Sequence, residues 1–307
     1  MSDIRYDGRV AVITGAGGGI GRSHALFFAA RGARVVVNDL GGSVKGDGSS
    51  VGMADAVVAE IRAAGGEAVA NYDSVATEAG GRNIIKTALD NYGTVDILIN
   101  NAGNIRDKSF AKMDLDDFRS VVDVHFMGAV YCTHAAWPVM RDKGYGRVVM
   151  TTSAAGLYGN HGHTNYSAAK LALVGFMNAL KEEGRNYNIT VHSVAPMALS
   201  RMTQDITAPK LAEVIKPEFV SAVVGWMCAE ENRNTGHIIE AGAGYYAKVE
   251  IREALGAFLG NDRITTPEDI RDHYAAITNM DRAVPLENAT EMLRKAYKVV
   301  APKEPKG

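Results

Sequence analysis

Tyr166 and Lys170 stand one helical turn apart in the segment Asn165-Tyr166-Ser-Ala-Ala-Lys170, and at that spacing two side chains share one helix face. A tyrosine alone is a poor base at neutral pH, its unperturbed pKa being near ~10. An ammonium within a few ångströms favours the phenolate, so the pair is suited to taking the proton from an alcohol. Ser153 lies upstream, just past the apolar run Arg147–Thr151, where a hydroxyl can orient a substrate oxygen and stabilise charge that develops on it. Taken by itself, a Tyr-x-x-x-Lys pair on an amphipathic helix usually does no chemistry. Its weight depends on the surrounding sequence.

That surrounding begins with Thr14-Gly15-Ala16-Gly17-Gly18-Gly19-Ile20-Gly21, between an apolar run and a helical pattern. Glycines there let backbone N–H groups approach a pyrophosphate, and a helix N-terminus favours the anion. Gly15, Gly19, Ile20 and Gly21 are the expected contacts. Asp39 ends the next apolar run, where a carboxylate accepts bonds from ribose hydroxyls and repels a 2′-phosphate. NAD is therefore expected over NADP; the alternative is that Arg22 or Lys45 holds the extra phosphate.

These residues need an α/β scaffold. Near-continuous apolar runs at Arg9–Ile13, Ala33–Asn38, Glu67–Asn71, Val95–Ile99, Arg147–Thr151 and Ile189–Val194 fit parallel strands covered on both faces. His237–Glu240 offers a seventh. Helical periodicity over Ile20–Arg31, Gly52–Ala64, Ala79–Tyr92, Leu115–Lys143, Asn165–Tyr187 and Pro217–Ala229 alternates with them. The alternation predicts a doubly wound, Rossmann-type parallel sheet of about seven strands. Past Gly244 the strands stop, and Glu250–Leu259, Pro267–Thr278 and Glu287–Lys298 read as three helices. The expected organisation is one domain over 1–245, a helical extension of it over 246–300 and a disordered tail over 301–307.

Composition excludes several classes. With 33 basic and 35 acidic residues the net charge is −2, so no field draws nucleic acid or an anionic membrane. No apolar run is long enough to span a bilayer, and no signal-peptide core opens the chain. Cys132 and Cys228, the only cysteines, read as reduced core thiols, which suits the cytoplasm. His161 and His163 invite a metal reading, but no third ligand has suitable spacing, and no metal is expected.

Thr14-Gly15-x-x-x-Gly19-x-Gly21, Asn100-Asn101-Ala102-Gly103, Ser153 and Tyr166-x-x-x-Lys170 together resemble the short-chain dehydrogenase/reductase family. The resemblance implies catalytic roles for Ser153, Tyr166 and Lys170. It places Asn101, Ala102 and Gly103 beside the cofactor and Asp73 and Ser74 at its adenine. It also implies a homodimer or homotetramer formed through the long helices Leu115–Lys143 and Asn165–Tyr187.

Two departures stand out. His125, in His125-Phe-Met-Gly128, occupies the place of the asparagine that helps complete the family's proton relay. Either its imidazole joins the relay, or it is a helix-bonding substitute. Ala195-Pro196-Met197-Ala198 replaces the usual Pro-Gly at the start of the substrate lid, expected over 197–216.

With the loop Asp39–Gly48 and the segments Ser153–Asn160 and Glu240–Tyr245, these departures resemble one group. It is the (3R)-hydroxyacyl-CoA dehydrogenase units of the peroxisomal multifunctional enzyme type 2 family, also called 17β-hydroxysteroid dehydrogenase type 4. That implies oxidation of an acyl-CoA or steroid-CoA alcohol to the ketone, with Tyr158, His163 and Met197 near the substrate. A hydroxysteroid dehydrogenase acting on a free steroid alcohol, and a non-catalytic NAD sensor, are the competing readings.

Overall fold

Strands β1 (Val10–Thr14), β2 (Arg34–Asn38), β3 (Glu67–Asn71), β4 (Ile97–Asn100), β5 (Gly146–Thr151), β6 (Ile189–Pro196) and β7 (Ile238–Gly242) all run parallel. Their β-branched runs are buried on both faces, and Val10–Ile13, Val35–Val37 and Ile97–Ile99 have no exposure. This computed structural model describes residues 3–43, 45–198 and 213–300. The chain divides into two compact units, Met1–Lys248 and Val249–Gly307.

The sheet order is β3-β2-β1-β4-β5-β6-β7-β8. The expected doubly wound sheet is therefore present, with one strand more than the sequence suggested. That strand, β8 (Tyr245–Val249), follows β7 through Ala243 and Gly244, whose φ angles are +50° and +77°. Two residues in the left-handed region form the tight turn of an antiparallel hairpin. Because β1 lies between β2 and β4, the winding reverses there and leaves a crevice at the carboxyl ends of the strands.

Among the described residues the α-helices of the first unit are α1 (Gly19–Ala30), α2 (Gly52–Ala63), α3 (Glu78–Tyr92), α4 (Leu115–Val122), α5 (Gly128–Lys143), α6 (Ala154–Tyr158), α7 (Thr164–Gly184) and α8 (Pro217–Cys228). The continuous helix expected over Leu115–Lys143 is instead divided, with a π-helical turn at Asp123–Met127 between α4 and α5. Apolar periodicity runs through such a turn without a visible break, so the sequence hid it. His125 lies within it.

In the second unit the first expected helix, Glu250–Leu259, does not form. Arg252–Glu253 is a short strand, β9, paired antiparallel with β10 (Val284–Pro285). Gly256 and Gly260 have φ angles of +74° and +90°, which no helix accommodates. Helices α9 (Pro267–Ile277) and α10 (Ala289–Val300) do form. A reciprocal Thr266–Asp269 capping box starts α9, satisfying its first N–H groups. Residues 301–307 lie outside the described residues.

Three histidines are sealed in the first unit: His125 in the π-helical turn, whose pKa burial holds well below the usual range, and two more. His24 on α1 bonds Ser221 Oγ through Nδ1 at 2.9 Å, and His192 lies on β6. Burial lowers their pKa values to about 3 and about 4, against ~6.5 in an unfolded chain. Below ~6.5 the unfolded chain takes up protons that the folded one refuses, so stability falls with falling pH. With His125, three such groups give a slope of up to about 4.1 kcal/mol per pH unit. The urea midpoint should therefore drop between about pH 6.5 and pH 5, and less steeply in His192→Gln; equal midpoints across that range would contradict the assignment.

Candidate active site

The turn from β1 into α1 is shaped by close backbone approach. A Cβ on Gly15, whose φ is +64°, would lie 2.7 Å from Ala102 Cα, and one on Gly21 would lie 2.2 Å from the Gly15 carbonyl oxygen. A side chain on Gly17 would strike the Asp39 carboxyl at 2.8 Å. The Gly18 cap makes no side-chain bond to α1, and the first turn holds no acid. The helix therefore presents free N–H groups and its positive end to an anion. Asp39 accepts from Gly17 N–H at 2.8 Å through Oδ2 and from Gly41 N–H at 2.7 Å through Oδ1. Each oxygen keeps a second lone pair for a ribose hydroxyl. This cradle fits a dinucleotide.

A cleft of about 490 Å³ opens beside it, lined by the cradle glycines and by Asp39, Asp73, Ser74, Asn101 to Gly103, His125, Ser153, His163, Tyr166 and Lys170. Asn101 is fixed by its Nδ2 donating to the Thr14 and Gly15 carbonyls at 3.0 and 3.1 Å. β5 and α7 bring the catalytic candidates together. Ser153 caps α6, accepting from Ala155 N–H at 3.1 Å, and its hydroxyl is near enough to Tyr166 to lower that phenol's pKa. Lys170 Nζ donates to the Thr151 carbonyl at 2.5 Å and lies 5.6 Å from the centre of the Tyr166 ring. Thr152 Oγ1 donates back to the Lys170 carbonyl at 2.7 Å, tying α7 to the strand end.

Burial pushes both groups toward neutrality. It lowers the Lys170 pKa to about 7. It raises that of Tyr166, opposed by Ser153 and reinforced by Asp107. The Tyr166 hydroxyl is thus harder to ionise than the sequence suggests, because burial outweighs its neighbours. Cationic charge supplied to the cleft would lower its pKa.

His125 is fully enclosed, its pKa held well below the usual range by burial and by Lys170. Its Nε2 lies 2.8 Å from the Asn104 carbonyl oxygen and 3.0 Å from the Asn104 nitrogen. A neutral imidazole makes one of these bonds in each tautomer. The ring meets Tyr166 edge-on, with centroids 5.2 Å apart. A Cβ on Gly103 would lie 2.3 Å from its Cε1, which explains that glycine. The geometry is that of a helix-to-loop bond.

Two of the substrate candidates are not on the cleft walls. Tyr158 is 66% exposed on α6. Met197 packs against Gly242, while Pro196 and Ala198 line the cleft, as alternation along an extended strand requires. His163 does reach the site, its Nε2 3.3 Å from Asp107 Oδ2 and its ring 6.1 Å from that of Tyr166. Asn104 and Asp107 are site residues the sequence reading lacks; they lie one and four residues past Gly103, and reading on past that motif would find them. Of the expected lid, residues 199–212 lie outside the described residues. Among the described residues no cluster is arranged to hold a metal ion, and no helix is long and apolar enough to cross a membrane.

The chain belongs to the short-chain dehydrogenase family, whose model matches residues 9–210. It is accordingly an oxidoreductase of CH–OH groups that uses a nicotinamide cofactor. The resemblance to multifunctional enzymes is also borne out. Peroxisomal multifunctional enzyme A of Dictyostelium discoideum is 49% identical over 91% of this chain and 62% of its own length. The full-length peroxisomal multifunctional enzyme type 2 from Drosophila melanogaster matches with a TM-score of 0.83 and 38% identity, over 97% of this chain and 50% of that one. This chain therefore spans only part of both. A 7α-hydroxysteroid dehydrogenase complexed with NADH and 7-oxo glycochenodeoxycholic acid matches with a TM-score of 0.71 and 28% identity, over 80% of this chain and 98% of that one.

If His125 is neutral, its imidazole should show no titration in ¹H–¹⁵N spectra between about pH 6 and pH 8. An imidazolium forming in that window would show that the ring carries a proton during turnover conditions.

Proposed function

We propose that the chain oxidises a (3R)-3-hydroxyacyl-CoA, carrying a fatty acyl or steroid side chain, to the 3-ketoacyl-CoA, with NAD as oxidant. One observation carries the chemistry: Ser153, Tyr166 and Lys170 line a single cleft with the glycine cradle. The acyl-CoA assignment is supported by the multifunctional enzymes that resemble this chain along most of its length.

Gly15, Gly19, Ile20, Gly21 and Asp39 would hold the dinucleotide. Asp39 favours NAD, since a 2′-phosphate would be brought against its carboxylate. Arg22, the alternative phosphate ligand, is engaged by Glu60 at 2.6 Å. Bound oxidised nicotinamide supplies the hydride acceptor and a positive charge. Ser153 Oγ holds the C3 oxygen of the substrate. Tyr166 Oη removes the proton from that oxygen as the C3–H bond breaks, leaving the ketone. Lys170, fixed by Thr151, supplies the cation that makes the phenolate accessible. His125 holds the Asn104 backbone beside Tyr166 instead of relaying protons.

A second reading, a free steroid alcohol as substrate, is favoured by the likeness to the 7α-hydroxysteroid dehydrogenase. A sensor that binds NAD without turnover has no use for all three catalytic groups. The same family reading expects a homodimer or homotetramer through α4, α5 and α7, where Leu115 and Leu171 are exposed. Sedimentation at one protomer mass would contradict it.

Incubation with NAD should give NADH from (3R)- but not (3S)-hydroxyacyl-CoA. Turnover of free hydroxysteroid alone would overturn the thioester assignment. Tyr166→Phe should lower kcat by roughly 10²–10⁴-fold, with NADH affinity within about threefold of the wild type. Loss of binding with kcat preserved would show that the tyrosine has another role.

A further inference from the structure

The connection from β2 to α2 is long for a βα loop, which commonly has about two to six residues. It folds back on itself. Ser50 N–H bonds the Leu40 carbonyl at 3.0 Å, and Ser43 N–H bonds that of Asp47 at 2.9 Å. Leu40, Gly42, Ser43 and Gly46 form one wall of the cleft, and Asn104, Ile105 and Asp107 form part of another. A Cβ on Gly46 would lie 3.0 Å from Asn104 Nδ2, so the two walls touch.

Arg106 joins them without lining the cleft itself. Its Nε donates to the Lys45 carbonyl at 3.0 Å and its Nη2 to Asp47 Oδ1 at 2.8 Å. Its Nη1 donates to Asp117 Oδ1 on α4 at 3.0 Å. Its own carbonyl accepts from Asn165 Nδ2 at 2.9 Å, next to Tyr166. Lys108 Nζ holds the second Asp117 oxygen at 3.0 Å. A planar guanidinium can serve three acceptors in fixed directions, which an ammonium on a flexible stem cannot.

We propose that Arg106 is a positioning residue for the cofactor, clamping the wall at Lys45–Asp47 to the 104–107 wall so that the dinucleotide cleft is formed before binding. The inference rests on the nicotinamide reading of that cleft. Arg106 acts on affinity through the fraction of molecules whose walls are already in place, because apparent Kd scales inversely with that fraction. It also connects the cofactor side of the site to the N-terminus of α7, where the catalytic tyrosine sits.

NADH fluorescence titration of the full chain tests this without any substrate. Arg106→Met keeps the aliphatic stem and removes the three donors. It should weaken NADH binding about 5- to 10-fold, or about 1–1.4 kcal/mol. Asp47→Asn should weaken it about twofold to fourfold, and Arg106→Lys should fall between wild type and Arg106→Met. The Arg106→Met/Asp47→Asn double variant should bind no more weakly than Arg106→Met alone, a non-additivity that general destabilisation would not produce. Wild-type affinity in Arg106→Met, or multiplying effects in the double variant, would overturn the proposal. Should Arg106→Met fail to fold, Asp47→Asn decides, since that carboxylate is 65% exposed; unchanged affinity there would overturn it. A wild-type chain that bound no NADH would overturn the cofactor reading and the clamp with it.

Discussion

Burying a base beside a cation is unfavourable for each charge taken singly, and the chemistry of this chain depends on how that constraint is met. Lys170 is enclosed, which lowers its pKa to about 7, and the Tyr166 hydroxyl is raised by the same cause. Ammonium and phenolate would each lose hydration here, and attraction between the two charges would offset part of that loss. The Thr151 carbonyl holds Lys170 Nζ at 2.5 Å, which steadies the cation where the tyrosine needs it. Under the proposed function, positive charge arriving with an oxidised cofactor would couple binding to activation of the base.

The fold serves this arrangement by fixing strand ends. β5 carries Thr151 and leads into Ser153, while α7 packs back on it with Tyr166 and Lys170 on one face. β1 and β4 deliver the glycine cradle and Asn101 to the same side of the sheet. Thr14 Oγ1 accepts from the N–H groups of both Asn101 and Ala102, at 3.0 and 3.1 Å, locking the two strand ends together. The π-helical turn at Asp123–Met127 brings His125 inward to the Asn104 backbone. Cofactor walls and catalytic helix are therefore held by one continuous set of bonds.

The parts legible in the sequence were those with local causes. The glycine turn, Asp39, Ser153 and the Tyr166–Lys170 pair each combine a short spacing with a strand or helix boundary, and all reach the cleft. The strand alternation likewise revealed the sheet, because buried parallel strands are apolar throughout. What stayed hidden depends on distant partners. Arg106 reads as an ordinary surface cation until Lys45, Asp47 and Asp117 are brought to it. The π turn leaves the apolar rhythm intact. Met197 is expected near the substrate because the resemblance puts the start of the lid there, whereas it packs against Gly242.

The central claim, that a buried tyrosine is made into a base by cationic neighbours, is tested most directly by the ionisation of Tyr166 itself. An ultraviolet difference titration of wild type against Tyr166→Phe isolates that phenol. Its pKa should move downward when saturating oxidised NAD is added, and the downward movement should diminish in Lys170→Met. An ionisation unchanged by both NAD and the loss of Lys170 would contradict the account.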